Sequence, residues 1–154
     1  MTPAELTATL HALIPMTRAM GVEVTVLTAD SLELAAPLAL NRNHAGSAFA
    51  GSLSSLASVA GWAFLHQLLA GKRIRAELLL ADGHIRYRRP VRNDLRATLT
   101  LPLPEQQQLL ASLAEAGRAR LQLSVDLAGE DGRPAAAFKG QYVAIALPEQ
   151  APGC

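Results

Sequence analysis

No aspartate or glutamate occurs between Glu33 and Glu77, and from Gly51 to Gly71 the chain carries no charged residue. A helix of that length without a charged face must be enclosed, by protein or by lipid. Leu53, Leu56, Val59, Ala60, Ala63, Phe64 and Leu68 recur near helical spacing. Ser54, Ala57, Ser58 and Gly61 leave the opposite side small, so that side too can sit against something close. Polar residues at Ser52, Ser54, Ser55, Ser58, His66 and Gln67 argue against a bilayer span. The pattern predicts a buried core helix beginning near Gly51. Gly71 ends it, and Lys72 and Arg73 suit the negative end of its dipole.

The segments around this helix read as a sheet that could enclose it. "PAELTATLHALIPM" opens with Thr2 as N-cap and Pro3 at the first helical position, with Leu6, Leu10, Leu13 and Ile14 as one apolar face. Val22, Val24 and Val26 alternate with polar residues, as do Leu32 and Leu34 around Glu33, and "TADS" joins the two runs as a hairpin. After the long helix, "AELLLADGHIRYRRPV" reads as strand, with Asp82-Gly83 marking either a hairpin turn or a kink in one long strand. "LRATLTL" is a further strand, and "PEQQQLLASLAEAG" a short helix with Leu109, Leu110 and Leu113 inward. Two last strands flank the turn "GEDG". Mostly short connections favour antiparallel pairing, and one long helix favours a curved sheet wrapped around it.

The 154 residues fit one domain spanning 1–154. A net charge of +1 makes no global case for nucleic acid. Eight of the 14 Lys/Arg lie between Lys72 and Arg96, a local patch that either meets an anionic partner or is a solvated rim. Cys154 is the only cysteine, which excludes an intrachain disulfide and disfavours a thiol catalyst. The N-terminus lacks a secretory layout, so a cytoplasmic setting away from membranes is the expectation. The four histidines show no metal-ligand spacing, so no metal is expected.

With "NRNHAGSAFAGS" entering the helix, "GW" inside it, "LLADGHIRYRRPV" after it and a closing F-x-G-x-Y-V strand (Phe138, Gly140, Tyr142, Val143), the chain resembles the hot-dog fold. It is similar in particular to the thioesterase-like hot-dog family found alone or fused behind an acetyltransferase domain in proteobacteria. The resemblance implies an α+β fold and an enzyme acting on acyl thioesters of coenzyme A or acyl carrier protein. It also implies a homodimer or dimer of dimers with sites at the subunit interface, and no cofactor beyond the phosphopantetheine or coenzyme A of the substrate. Some members decarboxylate malonyl-acyl carrier protein to acetyl-acyl carrier protein, which starts fatty-acid synthesis. The family's key Asn maps to Asn43. Where members often carry further histidines before F-A-G-S, this chain has Ala45 and Gly46.

Hydrolysis and decarboxylation of a thioester both place negative charge on the carbonyl oxygen and need N–H donors there. A helix N-terminus supplies them, and Gly51 permits close approach. Hydrolysis further needs a base to activate water, and the uncharged helix offers no carboxylate. Decarboxylation does not need one, which tilts the expectation towards a decarboxylase, with a thioesterase or a non-catalytic acyl-thioester binder as alternatives. Asn43 and Gly51 are the catalytic candidates. Asn41, His44, Ser47, Phe49, Ser52 and His84 are substrate-binding candidates, although His44, Ser47 and His84 also fit structural roles. Arg88, Arg89 and Arg92 are candidates for coenzyme phosphates or the acidic carrier protein, with protection of a sheet edge as the competing account.

Overall fold

The computed structural model describes residues 1–148; the lone cysteine, Cys154, lies outside them. Its elements are helix α1 (Pro3–Leu13), helix α2 (Pro15–Ala19), strands β1 (Glu23–Leu27) and β2 (Ser31–Ala36), and the single turn α3 (Leu38–Asn41). Helix α4 (Ala50–Gly71), strands β3 (Ala76–Tyr87) and β4 (Leu95–Thr100), helix α5 (Leu103–Ala116) and strands β5 (Arg118–Ala128) and β6 (Pro134–Ala146) follow.

The strands form one sheet in the order β1-β2-β4-β5-β6-β3, and every pairing is antiparallel. Register shifts at Thr25 in β1, Ala81 in β3 and Ala135 in β6 mark bulges, which bend a sheet. The inner face packs against α4, which contacts β2, β3, β4, β5 and β6. This is the hot-dog arrangement of a sheet around one long helix.

The seven apolar positions read as the core stripe of α4 are all buried. Leu56, Phe64 and Leu65 are fully so, each contributing about 1.5–3 kcal/mol by leaving water. The small side also has its neighbour. Tyr142 of β6 lies against Gly61 and donates from its buried hydroxyl to the Ser58 carbonyl at 2.7 Å. The F-x-G-x-Y spacing puts Phe138, Gly140 and Tyr142 on one strand face. A side chain at Gly140 would run into both flanking rings.

Three local expectations are corrected or refined, and one element is new. The first helix does not run through to Met16: Pro15 breaks it at Ile14 and starts α2, leaving Leu13 exposed. The bulge between Val24 and Val26 turns Val26 outward, against simple alternation. Asp82-Gly83 is no hairpin; β3 is one 12-residue strand with a bulge between Leu80 and Asp82. The turn α3 lies in a stretch whose sequence carries no periodic signal.

Candidate active site at the entrance of the central helix

The chain enters α4 through a tight turn built by Asn43. Its Oδ1 accepts from the backbone N–H of Ala45 at 2.8 Å and of Ser47 at 3.2 Å. Its Nδ2 donates to Ser47 Oγ at 2.9 Å, and its own N–H donates to the Ser47 carbonyl at 2.7 Å. Gly46 closes the turn at φ 79°, a left-handed conformation that favours glycine. Beneath it, buried Asn41 donates through Nδ2 to the carbonyls of Met20 and Pro37, both at 2.8 Å. The Asn41 carbonyl accepts from Phe49 N–H at 2.7 Å. Asn41 thus anchors the turn from below.

Phe49 is the N-cap of α4, and no side chain caps this helix. Among the described residues the first-turn N–H groups of Ala50, Gly51 and Ser52 have no acceptor. Such donors, at the positive end of the helix dipole, suit negative charge on an incoming group. The half-exposed Phe49 ring folds back over Gly51, where a side chain would collide with it.

Beside this entrance lies a cleft of about 330 Å³ lined by Asn43, Ser47, Ala50, Leu53, Tyr87 and Arg88, with Arg89, Pro90 and Val91 continuing the wall. Tyr87 ends β3, and its hydroxyl donates to the Ala50 carbonyl at 2.8 Å. Partial burial raises its pKa, and a hydrogen bond with Ser54 acts in the opposite sense. No Asp, Glu or His lines the cleft among the described residues.

The other sequence candidates fall in different places. His44 is exposed at the tip of the turn, outside the cleft lining. Ser52 lies in the first turn of α4, also outside that lining. His84 pairs across strands with Lys139 and shares its exposed face. Arg88 and Arg89 reach the cleft, and Arg92 lines an adjoining hollow of about 320 Å³. Arg89 is tied down by Asp131 at 3.0 Å and the Pro134 carbonyl at 3.1 Å. The Arg133 backbone N–H, and then Arg89, hold the Asp131 carboxyl below its ordinary range. Arg88 and Arg92 make no ion pair among the described residues. Tyr87 is not among the sequence candidates; it shares its strand face with Ile85, which packs against the core, and that parity is the signal the sequence carries.

A larger cleft, about 480 Å³, lies at the other end of α4 between Leu69, Ile74, Leu78 and Leu147, with His66, Arg73 and Arg75 at its rim. His66 stacks on Trp62 with ring centroids 4.7 Å apart, and burial lowers its pKa. Size favours this cleft. Chemistry favours the smaller one, lined by Ala50, the Asn43 amide and the Ser47 and Tyr87 hydroxyls; Phe49, Gly51 and Ser52 stand beside it, outside its lining. Among the described residues no group of three His, Cys, Asp or Glu side chains is placed to hold a metal.

Comparison with solved structures agrees with this architecture. A protein of unknown function from Chlorobaculum tepidum superposes with a TM-score of 0.88 at 26% identity, covering 93% of each chain. A Shewanella oneidensis protein described as a "putative thioesterase" matches with a TM-score of 0.82 at 30% identity, over 93% of this chain and 96% of that one. A Pseudomonas aeruginosa protein, of unknown function and described as a "Probable Thioesterase", matches with a TM-score of 0.82 at 28% identity, over 95% and 97%. The family model described as "Putative thioesterase (yiiD_Cterm)" matches residues 3–146. From its first helix to its last strand, this chain belongs to the YiiD_C family of thioesterase-type hot-dog proteins.

Proposed function

We propose that the protein decarboxylates malonyl-acyl carrier protein to the acetyl thioester at the entrance of α4. The observation that carries this is the composition of the cleft: hydrogen-bond donors and hydroxyls, with no carboxylate or imidazole among its described lining residues. Activation of water for hydrolysis needs such a base. Loss of CO2 needs only that the carboxylate stand out of the carbonyl plane and that the developing enolate be stabilised. The bond between the α-carbon and the carboxyl carbon breaks, and its electron pair passes into the thioester as an enolate. The α-carbon then takes a proton from solvent. Asn43 has one amide hydrogen beyond the one given to Ser47, and it orients the malonyl group. The first-turn N–H groups around Gly51 receive the enolate oxygen.

Arg88 and Arg92, which lack ion-pair partners among the described residues, meet the phosphates of the pantetheine arm or the acidic carrier surface. A second copy of the chain pairs along β3. This sheet-edge strand runs 12 residues and leaves Leu79 and Leu80 exposed at 46% and 40%. Unpaired backbone and exposed leucines on an edge are a template for another strand. Replacing both leucines by lysine is expected to convert a dimer to monomer in sedimentation velocity.

The family's description favours a second reading, hydrolysis of an acyl thioester, with a base supplied by the second subunit. Incubating the pure protein with malonyl-acyl carrier protein and resolving products by mass separates the two. Acetyl-acyl carrier protein and CO2 are expected; free malonate with free carrier thiol means hydrolysis, and overturns decarboxylation.

A further inference from the structure

One side chain reaches the entrance of α4 from the sheet. Tyr87 donates to the carbonyl oxygen of Ala50 at 2.8 Å. That carbonyl belongs to the same peptide unit as the N–H of Gly51, one of the helix donors without an acceptor among the described residues. In a trans peptide the C=O and N–H point in opposite directions. A donor on the oxygen draws density from the nitrogen, so the N–H on the far side becomes a stronger donor. Tyr87 therefore acts on the Ala50–Gly51 peptide at the helix entrance through one hydrogen bond.

We infer that Tyr87 is a positioning residue for the thioester chemistry: through the Ala50 carbonyl it fixes and strengthens the Gly51 N–H that meets the negative oxygen. This rests on the thioester site proposed above. It does not rest on which substrate bond breaks, because an enolate and a tetrahedral intermediate both charge the same oxygen. A tyrosine that merely tied β3 to α4 would affect stability and leave the electronic environment of a bound carbonyl unchanged.

The test uses the full chain and acetyl-dethia-coenzyme A, in which a methylene replaces the thioester sulfur so that the carbonyl cannot be cleaved. With the ketone carbon isotopically labelled, difference infrared spectroscopy reads that carbonyl in the bound state. In the wild type its stretch is expected at lower frequency than in water. Tyr87→Phe keeps the ring, and is expected to move the stretch back towards the solution value with Kd nearly unchanged. During turnover of the thioester substrate, Tyr87→Phe is expected to lower kcat about tenfold, the scale of one hydrogen bond, with KM little altered. A wild-type stretch no lower than in water overturns the thioester site and this inference with it. A lowered wild-type stretch that persists in Tyr87→Phe overturns the role of the tyrosine alone.

Discussion

The two ends of α4 are finished differently. At its C-terminal end the backbone closes on itself: the N–H groups of Lys72 and Ile74 donate to the Leu69 carbonyl, and that of Arg73 to the Ala70 carbonyl. Arg73 makes the reversal in a left-handed conformation, φ 58°. At the N-terminal end the first-turn N–H groups of Ala50, Gly51 and Ser52 have no acceptor among the described residues. The chain does cap a helix elsewhere. Thr2 and Glu5 form a reciprocal capping box on α1, with Glu5 held below its ordinary pKa first by the Thr2 backbone N–H and then by the Thr2 hydroxyl. An uncapped entrance costs stability that an Asn or Ser at position 49 would recover. The open donors of α4 lie beside a cleft, which is why the proposed chemistry is placed at that end.

Three glycines sample the length of α4, and substituting each measures how much each part tolerates. The largest effect belongs to the middle. Alanine at Gly61 puts a methyl into the Tyr142 ring and hydroxyl, in a core that cannot yield. Gly61→Ala is expected to lose about 3 kcal/mol in denaturant unfolding, from overpacking and loss of the Tyr142–Ser58 bond. A loss below about 1 kcal/mol would mean that Tyr142 swings aside, and that the two ends are less rigidly joined than the packing implies.

The open end comes next, and there the expected losses are of activity. Asn43→Ala removes the acceptor for two backbone N–H groups and the donor to Ser47. It is expected to lower kcat/KM about 100-fold, with a thermal midpoint reduced by the loss of the turn. Unchanged turnover would leave the Asn43 turn as pure architecture. Gly51→Ala meets the Phe49 ring first, and that ring is half exposed. Its stability is expected to stay within about 1 kcal/mol of wild type, while turnover falls about tenfold as the methyl crowds the open N–H groups. Full activity in Gly51→Ala would place the carbonyl elsewhere. At the closed end, a Cβ at Gly71 meets nothing within 4 Å among the described residues. Gly71→Ala is expected to stabilise the fold by about 0.5 kcal/mol through helix propensity, with activity untouched.

The same contrast explains what was legible in the sequence. The closed parts were written in local pattern. The gap in acidic residues from Glu33 to Glu77 foretold a buried helix, and Thr2-Pro3 foretold the start of α1. The bulges at Thr25 and Ala81 were not visible, because a bulge is a mismatch between two strands and only one of them is read at a time. At the candidate site, the sequence offers Asn43 and Gly51 through a family resemblance and the chemistry of a helix end, and the structure puts both at the entrance of α4. Asn41 drew notice as an amide, yet its donors go to Met20 and Pro37, the first of them 21 residues away. Tyr87 acquires its significance only when β3 folds back on α4, 37 residues away in the chain.

The smallest expected effect tests the closed end by pH. His66 is stacked on Trp62 in the apolar cleft, and burial lowers its pKa. The unfolded chain therefore binds a proton at His66 more readily than the folded one does. Stability from the neutral imidazole is complete above the unfolded value of about 6.5 and is lost as pH falls through it towards the lower folded pKa. Between about pH 7.5 and 5.5 the wild-type unfolding midpoint should fall, and in His66→Gln, which cannot titrate, the fall should be shallower. Identical slopes would mean that the ring takes its proton without leaving its stack, so that the cleft at this end is wetter than its apolar lining suggests. A difference in slope, with catalytic pH dependence alike in the two proteins, would keep His66 with the structural end of the helix and leave the chemistry at the other.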